Sequence, residues 1–311
     1  MKQATKALNL ELTATACFLF ANSLTYGDDI YVSNYGNNTI EKFDSTGHGS
    51  VFANSGLAGP DGLAFDSSGN LYVANTSNNT IEKFDPSGHG TVFANSGLNF
   101  PAGLAFDSNG NLYVANAGIN GDNANTIEKF DSSGNRTVFA SSNLSNPVGL
   151  AFDGSGNLYV ANLGDRTIER FDSSGHGLLF AHTGNEPGGI AFDARGNLYV
   201  AIWYSSTIEE YDPSGHGTIF ASSGINYPQG LAFDSSGNLY VANDGNYTIE
   251  KLDSSGHGSV FANASSGVNE PMFIAMQVPE PATWCLLILG LGVLAMLKNR
   301  QRVRPGWPLA R

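Results

Sequence analysis

Between residues 28 and 277, short runs of apolar and β-branched residues alternate with turns rich in Gly, Asn and Ser at a nearly constant interval. The word Leu-Tyr-Val stands at Leu71, Leu112, Leu158, Leu198 and Leu239, with Ile30-Tyr31-Val32 as its first copy, so successive spacings are 41, 41, 46, 40 and 41 residues. Each unit runs Pro-x-Gly-Leu-Ala-Phe-Asp, a Ser-Gly-Asn turn, Leu-Tyr-Val-Ala-Asn, a loop, Thr-Ile-Glu-Lys-Phe-Asp, a second Ser-Gly turn, and Thr-Val-Phe-Ala. Aromatic and β-branched residues favour extended chain, and Asp-Ser-Ser-Gly supplies the reversals. The pattern predicts four antiparallel strands per unit. A repeat near ~40 residues built of strands and turns is the signature of propeller blades.

Six copies predict an all-β, six-bladed β-propeller. The first copy begins at its second strand, Ile30 to Asn34, with no inner strand before it. The missing strand is supplied at the other end, where Pro271-Met272-Phe273-Ile274-Ala275-Met276 aligns with Pro60-Asp61-Gly62-Leu63-Ala64-Phe65. The C-terminal strand should therefore complete the first blade and leave no free sheet edge.

The unit resembles the NHL repeat, whose blades carry the same glycine-asparagine turn, then a Tyr-Val-Ala strand and an Asn-x-Ile strand. The resemblance covers residues 28–277.

The two ends read as addresses. Lys2 and Lys6 precede the apolar run Leu12 to Leu24, and Ala21-Asn22-Ser23 offers small residues for cleavage, so 1–27 resembles a secretory signal peptide. At the other end Val278-Pro279-Glu280-Pro281 is followed by an uncharged run at 282–297 and then Lys298, Arg300, Arg302 and Arg304. That order resembles the PEP-CTERM sorting signal over 278–311. The resemblance implies recognition of Pro279, Glu280 and Pro281 by an exosortase-like processing enzyme, with 282–297 as a transient or permanent single-span membrane helix. The basic cluster independently predicts a cytoplasmic end, leaving the body of the protein outside. The expected location is the outer cell surface or the extracellular space.

Charge and cysteine content narrow the function classes. Residues 28–277 carry 8 basic against 26 acidic side chains, a net of −18, which repels phosphate backbones and argues against nucleic acid. Cys17 and Cys285 both fall in the terminal segments, so the repeat region has neither a disulfide framework nor a cysteine metal site.

The repeated polar residues have simple explanations. His48, His89, His176, His216 and His257 share one Gly-His-Gly position in the turn between third and fourth strands. There they are spread round the outer rim and cannot converge on a metal whose ligands must approach within ~2 Å. Aspartates such as Asp66, Asp107 and Asp234 belong to the turns, where they accept local backbone hydrogen bonds.

Departures from the repeat are more informative. Asn34, Asn75, Asn116, Asn162 and Asn243 end the second strand, but the fifth copy has Ile202 there, followed by Trp203 and Tyr204; the third copy carries an insertion around Gly118 to Asn123. After each inner-strand proline stand Asp61, Ala102, Val148, Gly188, Gln229 and Met272, with Tyr227 and Asp244 expected nearby. Exposed aromatics beside a few polar groups suit a sugar ring or a peptide side chain. Trp203, Tyr204, Tyr227, Asp61, Gln229 and Asp244 are therefore the candidate ligand-binding residues, with inter-blade packing as the competing explanation for the aromatic group.

The expected function is an exported binding scaffold for extracellular polysaccharide or surface proteins. Similar propellers include lactonases, the peptidylglycine lyase domain and streptogramin lyases. That resemblance implies an alternative, a divalent-metal-dependent lyase or lactonase-like hydrolase with metal and histidine or carboxylate groups at the central mouth. In this sequence no histidine falls at that face; His182 lies near a loop between blades. Asp61 offers a calcium contact but no evident general base near neutral pH. A purely structural surface protein is the second alternative. No catalytic residue is assigned, and no cofactor beyond calcium at Asp61.

Overall fold

The computed structural model describes residues 28–118 and 125–277. The expected signal at 1–27, most of the third-copy insertion, the motif Pro279-Glu280-Pro281 and the expected helix 282–297 lie outside the described residues. Among the described residues no helix is long and apolar enough to cross a membrane.

The repeat folds as six four-stranded antiparallel sheets. In blade two the inner strand is Pro60–Phe65, the second Leu71–Asn75, the third Thr80–Phe84 and the outer Gly90–Ala94. Blades three to six repeat this order over 101–140, 147–182, 187–221 and 228–263. Blade one takes its inner strand, Pro271–Gln277, from the far end of the chain, paired to Asp29–Asn34 with Ile30 opposite Met276 and Val32 opposite Ile274. The predicted closure is present.

The side-chain period of two explains why blades stack. In Leu71–Asn75 every residue is buried. Leu71 and Val73 join a core cluster with Tyr31, Ile40 and Ala53 of blade one, whereas Tyr72 and Ala74 point the other way, into a cluster with Leu104, Leu112 and Val114 of blade three. Each fully buried aliphatic side chain contributes on the order of 1.5–3 kcal/mol. The tyrosine is wedged between two phenylalanines: Tyr72 meets Phe93 of its own blade and Phe106 of the next, both at 5.0 Å and edge-on.

Near the axis the blades approach too closely for side chains. A Cβ on Gly62 would be driven into the backbone carbonyl of Ala102, and one on Gly103 into that of Val148. Blade one departs from the glycine pattern with Phe273, and there Ser33 replaces the alanine of the other copies. Its hydroxyl donates to the Asp61 carbonyl at 2.6 Å and accepts from the Phe273 N–H at 2.9 Å, tying the closing strand to blade two.

The glycine contact sets a measurable cost. Gly103→Ala should lower unfolding free energy by about 1–3 kcal/mol through overpacking, read from the urea midpoint. An unchanged midpoint would mean that the inner strands can move apart freely.

Candidate functional site

Every inner strand breaks register just after its leading proline. In blade two Pro60 pairs with Asn75 and the next matched pair is Leu63 with Val73; the other five blades show the same irregularity. Such bulges re-aim side chains. Here they gather Asp61, Ala102, Val148, Gly188, Gln229 and Met272, one residue per blade, around a cavity of about 190 Å³ that Trp203 and Phe273 also line.

Asp61 is the one charged residue among those lining the cavity. It is only 8% exposed, and its Oδ1 has no hydrogen-bond partner among the described residues. Burial pushes its carboxyl up to about 7. The sequence-based expectation that Asp61 provides no base near neutral pH is therefore corrected. Buried beside largely apolar side chains, this carboxyl can hold or release a proton near physiological pH.

A divalent metal at the mouth does not fit these residues. Calcium takes six to eight oxygen ligands, whereas the ring around Asp61 is made of Ala102, Val148, Gly188, Gln229 and Met272. Among the described residues no group of three or more His, Cys, Asp or Glu side chains could hold a metal ion. The five repeated histidines sit in outer-rim turns, their N–H groups bound to turn aspartates where His48, His89, His176, His216 and His257 meet Asp44, Asp85, Asp172, Asp212 and Asp253.

A second, larger groove of about 520 Å³ opens beside the mouth and shares Trp203, Gln229 and Met272 with it. Its other walls are Tyr35, Asp244, Gly245, Tyr247 and Glu270. Burial, and then the charge of Glu270, raise the Asp244 carboxyl, opposed by a hydrogen bond with Gln229. The same Glu270 charge is the main cause of the raised Tyr247 phenol, whose hydroxyl donates to Glu270 Oε1 at 3.4 Å.

The three predicted aromatics form one cluster. Trp203 and Tyr204 lie 4.6 Å apart between ring centroids, and Tyr227 stands 6.2 Å from each, nearly perpendicular to both. Trp203 reaches both hollows, while Tyr204 and Tyr227, 56% and 42% exposed, form a shelf alongside. Tyr227 holds a left-handed backbone with φ of 48°, and its N–H donates to Ser206 Oγ at 3.2 Å. A bulky residue in that region is strained by about 1–3 kcal/mol.

The cause of the blade-five departure lies in the preceding connection. In the five other blades the asparagine ending the second strand stitches down the linker before its own inner strand. Asn75 Oδ1 accepts from the Ala58 N–H and its Nδ2 donates to the Gly56 carbonyl and to Thr80 Oγ1, and Asn34, Asn116, Asn162 and Asn243 repeat the arrangement. The connection from Ala181 to Pro187 is one residue shorter than those from Ala53 to Pro60 or Ala94 to Pro101. Ile202 fills the place, and Thr207 Oγ1, whose counterparts bind the asparagine, is left buried without a partner. Trp203 Nε1 and Glu186 Oε2 are also buried, with no partner among the described residues. Blade five thus concentrates unsatisfied polar atoms at the face where the six blades differ most.

Of the candidates named from sequence, the structure brings Asp61, Gln229 and Trp203 to the mouth and Asp244 into the adjoining groove. Sequence reasoning missed Tyr35, Tyr247 and Glu270. Their signal was present: Tyr35 occupies the same loop position as Trp203, and Glu270 stands immediately before its proline as Tyr227 does.

Comparison with known proteins places this geometry among relatives. The family described as the virginiamycin B lyase family matches residues 1–278, and the PEP-CTERM protein-sorting motif matches residues 277–302. No curated protein is close enough to match. Among solved structures, a chain of a nidogen/laminin complex is 21% identical with a TM-score of 0.71, covering 82% of this chain and all of that one (100%). Virginiamycin B lyase from Staphylococcus aureus is 18% identical with a TM-score of 0.55, over 65% of this chain and 69% of that one. A gluconolactonase from Xanthomonas campestris is 19% identical with a TM-score of 0.58, over 67% and 76%. At these identities the likeness concerns the fold alone.

The buried Asp61 generates a pH signature. Below the usual carboxylate range both folded and unfolded chains are protonated there, and nothing is lost. As pH rises toward 7 the unfolded chain ionises first, so stability falls until the folded group also ionises near about 7. Asp61→Asn should therefore melt with the wild type near pH 4 and be more stable, by on the order of 2–4 kcal/mol, above pH 7. Parallel melting curves across that range would show that Asp61 ionises freely.

Proposed function

The chain belongs to the virginiamycin B lyase family, and from that premise we propose that it is an exported binding propeller whose ligand, a glycan or a segment of a surface protein, docks at the mouth of the ring. The PEP-CTERM motif marks an exported, surface-sorted protein processed by exosortase. The expected span at 282–297 is proposed as its tether, and the repeat as one of the NHL kind.

The observation that carries the reading is that two residues lining one cavity of about 190 Å³, Asp61 and Trp203, each carry a buried polar atom, Oδ1 and Nε1, with no partner among the described residues. Buried polar atoms in native proteins are nearly all satisfied, and each exception calls for an explanation. A ligand that offers one donor and one acceptor against an apolar face satisfies both. The exposed rings of Tyr204 and Tyr227 extend that apolar surface outward.

Replacing Trp203 and Tyr204 together by alanine should leave the fold cooperative and weaken binding to the host's surface polysaccharide or matrix proteins at least about tenfold. Undiminished binding by a folded double variant would sink the reading.

A second reading, lyase or lactonase-like chemistry of the kind its relatives' names carry, is favoured by one observation, the carboxyl of Asp61 poised near neutrality. The binding reading expects no turnover of quinupristin or gluconolactone by the wild-type protein. Turnover that disappears in Asp61→Asn would favour the enzyme instead.

A further inference from the structure

The groove beside the mouth has a chemical character of its own. Its lining residues include two carboxylates, Asp244 and Glu270, three aromatic side chains, Tyr35, Trp203 and Tyr247, and no basic residue. Six carboxylates elsewhere in the ring are paired with a lysine or arginine: Asp29 with Lys42, Asp66 with Lys83, Asp107 with Lys129, Asp234 with Lys251, Glu128 with Arg136 and Glu186 with Arg166. Neither Asp244 nor Glu270 has an ion-pair partner among the described residues. Burial and then the charge of Glu270 raise the Asp244 carboxyl, and the same charge raises the Tyr247 phenol.

From this geometry we infer that the groove receives an organic cation, an ammonium or guanidinium group on an apolar stem, as presented by a lysine or arginine side chain of a peptide. This deepens the mouth-binding reading and rests on it. A cation between Asp244 and Glu270 would relieve the repulsion of the two carboxylates, and Tyr35, Tyr247 and Trp203 line the same groove, where aromatic rings attract cations. The chain uses the same combination internally, with Lys83, Lys129 and Lys251 each held 4.9–5.1 Å from a tyrosine ring centroid beside an aspartate.

Further support comes from the adjoining cavity, which shares Trp203, Gln229 and Met272 with the groove as lining residues. There Asp61 is buried beside Ala102, Val148 and Met272, and its Oδ1 has no partner among the described residues. An inorganic divalent ion is a poor match, because it demands six or more oxygens and gains nothing from aromatic and thioether walls. An elongated ligand with a cationic group in the groove and an apolar or amide portion in the cavity meets all of these features at once. The −18 net charge of residues 28–277 adds long-range attraction for such a ligand.

Isothermal titration of the full chain tests this with three probes: N-acetyl-glycyl-lysine methyl ester, the same peptide acetylated on Nε, and maltotriose. The expected result is binding of the cationic peptide, at least about tenfold weaker binding of the acetylated one, and weakening with added salt. Glu270→Gln and Asp244→Asn should each reduce affinity for the cationic peptide severalfold without changing the melting temperature. Equal affinities for the two peptides, or an unaltered affinity in both variants, would overturn the inference. If maltotriose alone binds, and Trp203→Ala abolishes it, the cation is overturned while the mouth remains a binding site. Failure of all three probes to bind overturns both.

Discussion

No blade of this protein owns a complete core. The second strand of each sheet buries both faces, so Leu71 and Val73 need blade one while Tyr72 and Ala74 need blade three. The free energy of the fold is therefore held in six interfaces, and each interface exists only if both blades do. An open ring would expose the faces of two blades at once. That is why the closing strand 271–277 matters more than its length suggests. It completes blade one and, through Ser33, fastens that blade to blade two.

Close packing at the axis then decides where chemistry can occur. Glycines allow the inner strands to touch backbone to backbone, and the bulge after each proline pushes one residue per blade into the mouth. Five of those six residues carry no charge, so Asp61 has no counter-ion among the lining residues, and burial raises its carboxyl. The same near-identity of blades makes departures conspicuous. A linker one residue shorter removes the job of the asparagine at position 202, and the isoleucine that replaces it leaves Thr207 unsatisfied while Trp203 and Tyr204 follow it onto the exposed face.

The candidate site combines two features that a rigid ring can hold apart. A narrow apolar mouth contains one perturbed acid, and a wider acidic, aromatic groove lies outside it. A scaffold of six mutually dependent interfaces can sustain the strain of Tyr227 and the repulsion of Asp244 and Glu270, because no single blade can relax without disturbing its neighbours.

Strand number, blade order and closure were legible in the sequence, since a period of 40 to 46 residues and the alignment of 271–276 with 60–65 are one-dimensional facts. So was the ring of residues after the prolines, because repetition assigns the same place to each. What the sequence left open was everything that depends on distance across the ring. Asp61 looks like an ordinary aspartate until Ala102, Val148 and Met272 close round it and strip away water. Tyr247 belongs to blade six, while Tyr35 and Glu270 belong to blade one but are separated from each other by almost the whole chain. Periodicity sets which residues are equivalent, but burial and electric field arise only when residues remote in sequence share one small volume, and those were decided by the tertiary structure.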